Sequence, residues 1–150
     1  MKFIKNIDIQ GNRVLIRVDF NVPITDNEVM DDFRIHSALP TIQYCIEKGA
    51  SVVLMSHLGR PKGKVVPNMS LEPVANVLSD LLNQSVLFTN DCISEESIKV
   101  SSKLKNGDVH LLENLRFHDG ETKNDREFSQ KLACHANYYI NDAFGTAHRA

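Results

Sequence analysis

The sequence has no tryptophan, few cysteines and no long hydrophobic run, and these absences exclude several classes of protein. No apolar stretch comes near the roughly 18 residues that a membrane-spanning helix requires. The three cysteines, Cys45, Cys92 and Cys134, are widely spaced and form no C-x-x-C pair, so they offer neither a disulfide framework nor a zinc motif. Residues 1–8 alternate apolar and polar side chains and lack the apolar segment of a secretory signal. We therefore expect a cytoplasmic protein with reduced thiols and no membrane association.

The length and net charge of the chain limit the number of domains and the kinds of partner it can have. A chain of 150 residues can bury one hydrophobic core, but it is too short for two lobes that close on each other. Its 42% hydrophobic and 24% charged residues are ordinary for a globular domain. The formal net charge of -2 argues against a general nucleic-acid binder, because such domains are usually clearly basic. We expect a single globular domain without a nucleic-acid partner.

Short apolar segments and helix-period segments alternate along the chain. Five strands are predicted, at residues 14–18, 52–55, 86–88, 109–112 and 138–140. Four helices are predicted between them: one from Ile35 to a Lys48-Gly49 end with Pro40 inside it, one capped by Ser70, one from Ser94, and one from Asn124 with Glu127 in a capping-box position. Strand and helix in alternation imply parallel pairing through right-handed crossovers. The predicted fold is therefore a three-layer α/β domain, a mainly parallel sheet with helices on both faces, similar to a Rossmann-like lobe.

Charged and polar residues follow the predicted strands. In an open parallel sheet, ligands bind beyond the carboxyl ends of the strands, where loops and helix N-termini converge. Four of the seven arginines fall at this edge: Arg34, Arg60, Arg116 and Arg149. Guanidinium groups bind phosphate and carboxylate oxygens in pairs, whereas Asp19 and Asn21 are suited to a hydroxyl. The pattern predicts a hydroxylated, phosphorylated acid as the ligand, although any one arginine alone is more often a solvated surface residue.

Other motifs of ligand-binding proteins are absent or incomplete. The segment GRPKGKV at 59–65 has three residues between its glycines where a Walker A loop has four, and it ends in valine instead of Ser or Thr. No G-x-G-x-x-G occurs, and the six histidines show no zinc-ligand spacing, so we expect no metal site in this chain. We expect structural roles for His36, His110, His118 and His135. His57 and His148 are better site candidates, because each lies near an arginine of the predicted ligand edge.

Four stretches of sequence resemble the signature segments of the phosphoglycerate kinase family. They are RVDFNVP at 17–23, SHLGRPKG at 56–63, LENLRF at 112–117 and NDAFGTAHRA at 141–150. These motifs are long, and they occur in order over essentially the whole chain. The resemblance implies the N-terminal, substrate-binding domain of a two-lobed kinase. That family transfers a phosphoryl group from 1,3-bisphosphoglycerate to ADP, giving 3-phosphoglycerate and ATP in glycolysis.

The resemblance also implies a set of site residues. Asp19 and Asn21 would hold the hydroxyl and carboxyl end of the substrate, and Arg34 would lie nearest the transferred phosphoryl group as the catalytic residue. The implied substrate-binding set is Asp19, Phe20, Asn21, Arg34, His57, Leu58, Gly59, Arg60, Arg116 and Arg149. Two departures stand out: Phe33 replaces a common threonine before the arginine, and His110 occupies a strand position that is generally aliphatic.

The same resemblance assigns the cofactor to a different part of the protein. ATP or ADP with Mg²⁺ would be bound by a C-terminal lobe that residues 1–150 do not contain. We therefore expect a domain that is incomplete at its C-terminal end, that binds 3-phosphoglycerate weakly and that does not turn over alone. The full-length kinase is expected to be a monomer. A stand-alone module that binds small phosphorylated acids remains the alternative, and a general polyanion binder is a third possibility.

Overall fold

The protein is built on one five-stranded parallel sheet. The structure, a computed structural model, describes residues 7–123 and 125–142. The sheet strands are β1 (Arg13–Arg17), β4 (Ser51–Met55), β5 (Val86–Thr89), β6 (Val109–Leu112) and β7 (Tyr138–Asn141). They pair in the order β5-β6-β4-β1-β7, and every pair is parallel. The five predicted strands and their parallel pairing are confirmed.

Two further strands form a hairpin that the sequence analysis did not predict. β2 (Ile24–Thr25) and β3 (Glu28–Val29) are antiparallel and lie between β1 and the first helix. The connecting residues Asp26 and Asn27 both have positive φ, 51° and 63°, as a two-residue type I′ turn requires. Asp and Asn adopt this backbone more easily than other non-glycine residues.

Helices cover both faces of the sheet. They are α1 (Phe33–Glu47), α2 (Glu72–Leu82), α3 (Glu95–Ser102), α4 (Asp119–Thr122) and α5 (Arg126–Ala133). On one face, Ile35 and Ile42 of α1 and Leu78 of α2 pack with alternate residues of β1, β4 and β6. On the other face, Phe128 and Leu132 of α5 pack with the intervening strand residues. The central strands β1, β4 and β6 therefore bury both their faces, whereas the outer strands β5 and β7 are partly exposed. The predicted three-layer α/β fold is confirmed.

Helix α1 ends where its sequence predicts. It runs through Pro40 to Glu47, and Gly49 follows with φ +79°. The Gly49 amide donates to Ile46 O and the Ala50 amide to Cys45 O, at 3.1 and 3.0 Å. These two bonds form the Schellman arrangement, in which a glycine in the left-handed conformation satisfies the last carbonyls of the helix.

The other helix starts agree with the sequence in part. Ser94 caps α3 as predicted, since its side chain accepts a hydrogen bond from the Ser97 amide. For α5 the cap is Asp125, which accepts from the Glu127 amide at 2.9 Å, whereas the predicted cap Asn124 lies outside the described residues. Ser70 accepts from the Glu72 amide but stands one residue before the N-cap position of α2.

Within the described ranges, no helix is both long and apolar enough to cross a membrane.

Candidate functional site

Three loops meet at the carboxyl edge of the sheet, where the sequence analysis placed a ligand. They follow the neighbouring strands β1, β4 and β6, and we call them the first loop (18–23), the second loop (56–66) and the third loop (113–118). Hydrogen bonds between side chains and main chain connect all three. Their relative position is therefore defined by specific contacts as well as by the sheet.

Asn114 connects the third loop to the second. Its Oδ1 accepts hydrogen bonds from the amides of Leu58 and Arg116, at 3.2 and 3.0 Å. Its Nδ2 donates to the carbonyls of Leu58 and Met69, at 2.7 and 3.0 Å. The side chain is 1% exposed, so a neutral amide with all four bonds made is the group that suits this position.

Ser56 and Asn21 connect the second loop to the first. The Phe20 amide donates to Ser56 Oγ at 2.9 Å, and the Gly59 amide donates to Asn21 Oδ1 at the same distance. Gly59 has φ +63°, a conformation that L side chains rarely adopt. The Asn21 oxygen thus holds the turn of the second loop.

Glu113 joins the third loop to the start of α2. The carboxylate is 7% exposed and accepts from Ser70 Oγ at 2.6 Å and from the Leu71 and Asn114 amides at 2.8 and 2.9 Å. Three hydrogen bonds donated to one buried carboxylate stabilise its negative charge. Glu113 is therefore a structural acid at the base of the site.

Arg34 lies beside Asp19 at the start of α1. Its guanidinium donates to the Asn21 carbonyl at 2.5 Å, and NH1 lies 3.4 Å from Asp19 Oδ1. The Arg34 side chain is 49% exposed and that of Asp19 is 35% exposed. The predicted neighbours Asp19, Asn21 and Arg34 are thus in direct contact, with one cation and one carboxylate open to a ligand.

Arg116 contacts an acidic residue that the sequence analysis did not consider. Its Nε donates to Glu121 Oε2 at 3.0 Å, while Arg17 NH2 donates to Glu121 Oε1 at 2.7 Å. Burial alone would raise the pKa of Glu121, but the hydrogen bonds and charges of the two arginines outweigh it and hold that pKa below its usual value. Glu121 is therefore ionised between Arg17 and Arg116.

His57 is half-buried near the same cluster. Burial lowers its pKa, the positive charge of Arg116 lowers it further, and Glu121 opposes the change. The ring is neutral at physiological pH, so it can donate one N–H to an anion without carrying a charge. Arg60 is exposed on the same loop, and its guanidinium has no hydrogen bond or ion pair within the described part of the chain.

The buried members of the predicted set have structural surroundings. The Phe20 side chain is 0% exposed and that of Leu58 is 5% exposed, so both belong to the core. The amide and the carbonyl of Leu58 are both hydrogen-bonded to the Asn114 side chain. Arg149, predicted to bind substrate, and His148 lie outside the described residues.

Besides Glu113, the sequence analysis gave no role in the site to four residues: Arg17, Ser56, Asn114 and Glu121. A signal existed for Arg17, Ser56 and Asn114, because each stands at the carboxyl end of a predicted strand. Glu121 had no such signal. It lies in α4, four residues long, where no helical period can be recognised.

One cluster of metal-ligand types occurs in the described ranges. Asp91, Cys92 and His118 bring one ligand atom each within 4.8 Å of one another. His118 Nε2 already lies 2.6 Å from Asp91 Oδ1. Burial, followed by the charge of Asp91, raises the pKa of the Cys92 thiol far above its usual value. The cluster is a hydrogen-bonded pair beside a buried thiol.

Comparisons with known proteins show which family this chain resembles. A family profile described as phosphoglycerate kinase matches residues 4–150. Curated relatives named phosphoglycerate kinase are 59% identical over 143 residues in Rippkaea orientalis and 52% identical over 151 residues in Clostridioides difficile. These alignments cover 95% and 99% of this chain but only 36% and 38% of the relatives.

Solved structures give the same result. The crystal structure of phosphoglycerate kinase from Pyrococcus horikoshii superimposes with a TM-score of 0.86 at 36% identity, covering 99% of this chain and 38% of that one. The structure of phosphoglycerate kinase from Coxiella burnetii gives 0.82 at 41% identity, covering 98% and 36%. The chain therefore spans little more than a third of the proteins it matches. Since the profile covers nearly all of its residues, the chain belongs to the phosphoglycerate kinase family.

Proposed function

We propose that this chain is the acid-substrate domain of a phosphoglycerate kinase. It binds 3-phosphoglycerate and 1,3-bisphosphoglycerate, and the complete enzyme moves a phosphoryl group between the bisphosphate and ADP. The observation that supports this most directly is the carboxyl edge of the sheet, where Asp19 and Arg34 touch and Arg60 and Arg116 lie on hydrogen-bonded neighbouring loops. Cations beside an exposed carboxylate suit a ligand that carries both phosphate and hydroxyl groups.

Each group has a distinct part in the proposed binding. Asp19 repels phosphate but accepts a hydrogen bond from the substrate hydroxyl. Arg60 and Arg116 bind phosphate oxygens, and neutral His57 donates one further hydrogen bond. Arg34 stabilises negative charge on the transferred group, because phosphoryl transfer has a loose transition state with charge spread over its oxygens. No side chain needs to form a covalent bond.

The described residues do not fit a nucleotide with Mg²⁺. The glycine-containing second loop leads into a 3₁₀ turn, Pro67–Met69, instead of directly into an α-helix whose N-terminus could hold phosphates. Its Gly59 amide is already bonded to Asn21. The proposal therefore assigns nucleotide and metal to the two thirds of the family's length that this chain does not span.

Calorimetry on this chain tests the binding proposal. We expect 3-phosphoglycerate to bind more tightly than inorganic phosphate, because only the former offers a hydroxyl and carboxylate to the groups around Asp19. A short oligonucleotide should bind no better than phosphate. Equal affinities for all three, with a steep dependence on salt, would instead indicate a general polyanion binder.

A coupled assay separates the enzyme domain from a stand-alone binding module. We expect no ATP formation from 1,3-bisphosphoglycerate and ADP with this chain alone. Addition of the remaining part of the kinase as a separate polypeptide should restore turnover if the chain is one domain of that enzyme. Tight binding with no restoration would favour the stand-alone module. We also propose that the complete kinase is cytoplasmic and monomeric. Sedimentation can test the monomeric state.

A further inference from the structure

The carboxylate of Glu121 lies between two arginines in an arrangement that leaves part of each guanidinium unused. One carboxylate oxygen accepts a hydrogen bond from Arg17 NH2, and the other accepts one from Arg116 Nε. An arginine has five N–H donors, so the bond at Nε leaves both terminal nitrogens of Arg116 available to another anion. The Arg17 and Arg116 side chains are 29% and 30% exposed, whereas that of Glu121 is 9% exposed.

The backbone of Arg116 is held as well. Its amide donates to Asn114 Oδ1 at 3.0 Å, and its carbonyl accepts from the Gly63 amide of the second loop at 3.1 Å. With the main chain fixed by these bonds, the Nε bond to Glu121 determines the direction of the side chain. The guanidinium then lies close enough to His57 to lower the pKa of that ring.

We infer that Glu121 is a positioning residue, which holds the terminal nitrogens of Arg116 toward the phosphate of the bound phosphoglycerate. This inference rests on the proposed function for the identity of the ligand. A long flexible side chain loses rotational freedom when it binds, and ordering it beforehand removes that cost. The ordering effect opposes a purely electrostatic one, because an anion near the site repels phosphate.

The sign of one substitution therefore separates the two effects. Glu121→Gln keeps the size of the side chain but replaces one acceptor oxygen with a donor, so it cannot hold both arginines. If ordering dominates, 3-phosphoglycerate binds about 3- to 10-fold more weakly to the variant. Tighter binding would overturn the inference, because it would make Glu121 a competitor of the ligand.

A matched variant and a second background isolate the mechanism. Glu127→Gln removes one acidic charge from α5 and should leave the affinity unchanged, because within the described residues the Glu127 side chain makes only an exposed pair with Lys131 at 3.6 Å. In an Arg116→Ala background, Glu121→Gln should add no further loss, because its effect passes through Arg116. A loss of the same size in both backgrounds would show that Glu121 acts otherwise.

Nuclear magnetic resonance of the unmodified chain keeps the inference testable if the variants fold poorly. The Arg116 Nε–H should be ordered and slow to exchange without ligand, whereas the exposed Arg126 should exchange fast. In Glu121→Gln, the His57 pKa should fall further, because a charge that raises it is gone. A mobile Arg116 in the free chain overturns the positioning role, and an ordered Arg116 with no 3-phosphoglycerate binding overturns only the proposed function.

Discussion

The rings of His110 and His135 meet in a T-shaped arrangement, with their centroids 6.2 Å apart and a single hydroxyl between them. Ser101 Oγ lies 2.9 Å from His110 Nδ1 and 2.7 Å from His135 Nδ1. His135 Nε2 contacts the Cys92 carbonyl at 2.7 Å, and a carbonyl only accepts, so this nitrogen carries the proton. All three side chains are 0% exposed.

These contacts determine where each proton lies. With its proton on Nε2, neutral His135 accepts at Nδ1 from the Ser101 hydroxyl, and Ser101 in turn accepts from His110 Nδ1. Neutral His110 then accepts at Nε2 from Thr89 Oγ1 at 2.8 Å, in competition with the Asp91 carbonyl, which lies 3.2 Å from the same hydroxyl. Arg13, whose Nε donates to the His135 carbonyl at 3.0 Å, is the cation that faces this group. Burial disfavours a positive charge on either ring, and Arg13 disfavours it further on His135.

We predict that the chain loses stability in mild acid because of this network. Burial, and then the neighbouring His135, lowers the His110 pKa to about 4, and burial lowers that of His135 as well. An unfolded histidine takes up its proton near pH 6.5. The stabilisation is therefore fully present above pH 6.5 and is lost as the pH falls toward 4, by on the order of 3 kcal/mol for His110.

Urea unfolding at several pH values between 4.5 and 7.5 measures this loss. His110→Leu should flatten the slope of the unfolding free energy against pH, although it lowers stability at pH 7.5 by removing one hydrogen-bond partner each from Thr89 and Ser101. His36→Gln, which removes an exposed histidine of α1, is the control. A slope equally steep in His110→Leu would show that other groups are responsible.

We predict that Asn114→Asp strongly destabilises the protein. Asp keeps the oxygen that accepts from Leu58 and Arg116, but it places a second oxygen against the carbonyls of Leu58 and Met69. Two donated bonds become repulsive contacts in a buried position, and we expect a loss of about 3 kcal/mol or more. Chemical denaturation measures it.

A second asparagine provides the control for this change. Among the described residues, the exposed Asn137 side chain makes one hydrogen bond, in which its Oδ1 accepts from the Arg13 amide at 3.0 Å. Asn137→Asp retains that acceptor and should alter stability by no more than about 0.5 kcal/mol. If the two variants were equally stable, the four bonds of Asn114 would not hold the loops together as described.

The sheet was predictable from the sequence, whereas the short elements were not. Each strand of the sheet contains a run of four or five residues that are mostly apolar or β-branched, which is a recognisable signal. The hairpin strands β2 and β3 have two residues each, and α4 has four, too few to show a period. The order of the strands could not be predicted either, because every strand is apolar enough to pair with any other.

The same distinction applies to the candidate site. Arg34, Arg60 and Arg116 could be placed at one edge because topology brings the carboxyl ends of parallel strands together. The contacts of Glu121 with Arg17 and Arg116 depend on side-chain geometry and have no sequence signal. His110 was expected to be structural, and its role became clear only when Ser101 and His135 were seen beside it, from segments 9 and 25 residues away along the chain.

We predict that one of the three thiols reacts with an aqueous disulfide reagent in the native protein. Cys134 is exposed, whereas Cys45 and Cys92 are both 0% exposed. Burial, followed by the charge of Asp142, raises the pKa of Cys45 to about 12, which leaves almost no reactive thiolate at neutral pH. Titration should give one fast thiol in buffer and three in denaturant, and Cys134→Ser should abolish the fast one. Three fast thiols in buffer would show that the core is open.

The last prediction concerns Arg34 and rests on the proposed function, so it is tested in a full-length kinase that includes this chain as its acid-substrate domain. Arg34→Ala should lower kcat by about 100- to 1000-fold, the usual effect of removing one group that stabilises charge in a transition state. Ground-state affinity for 3-phosphoglycerate should fall by less than about 10-fold, because the contact strengthens only as the phosphoryl group moves. Steady-state kinetics with calorimetry separates the two, and Arg126→Ala, an exposed change on α5, should affect neither. A loss of affinity with kcat unchanged would make Arg34 a binding residue alone, and its contacts with Asp19 and the Asn21 carbonyl would then serve only to hold it in place.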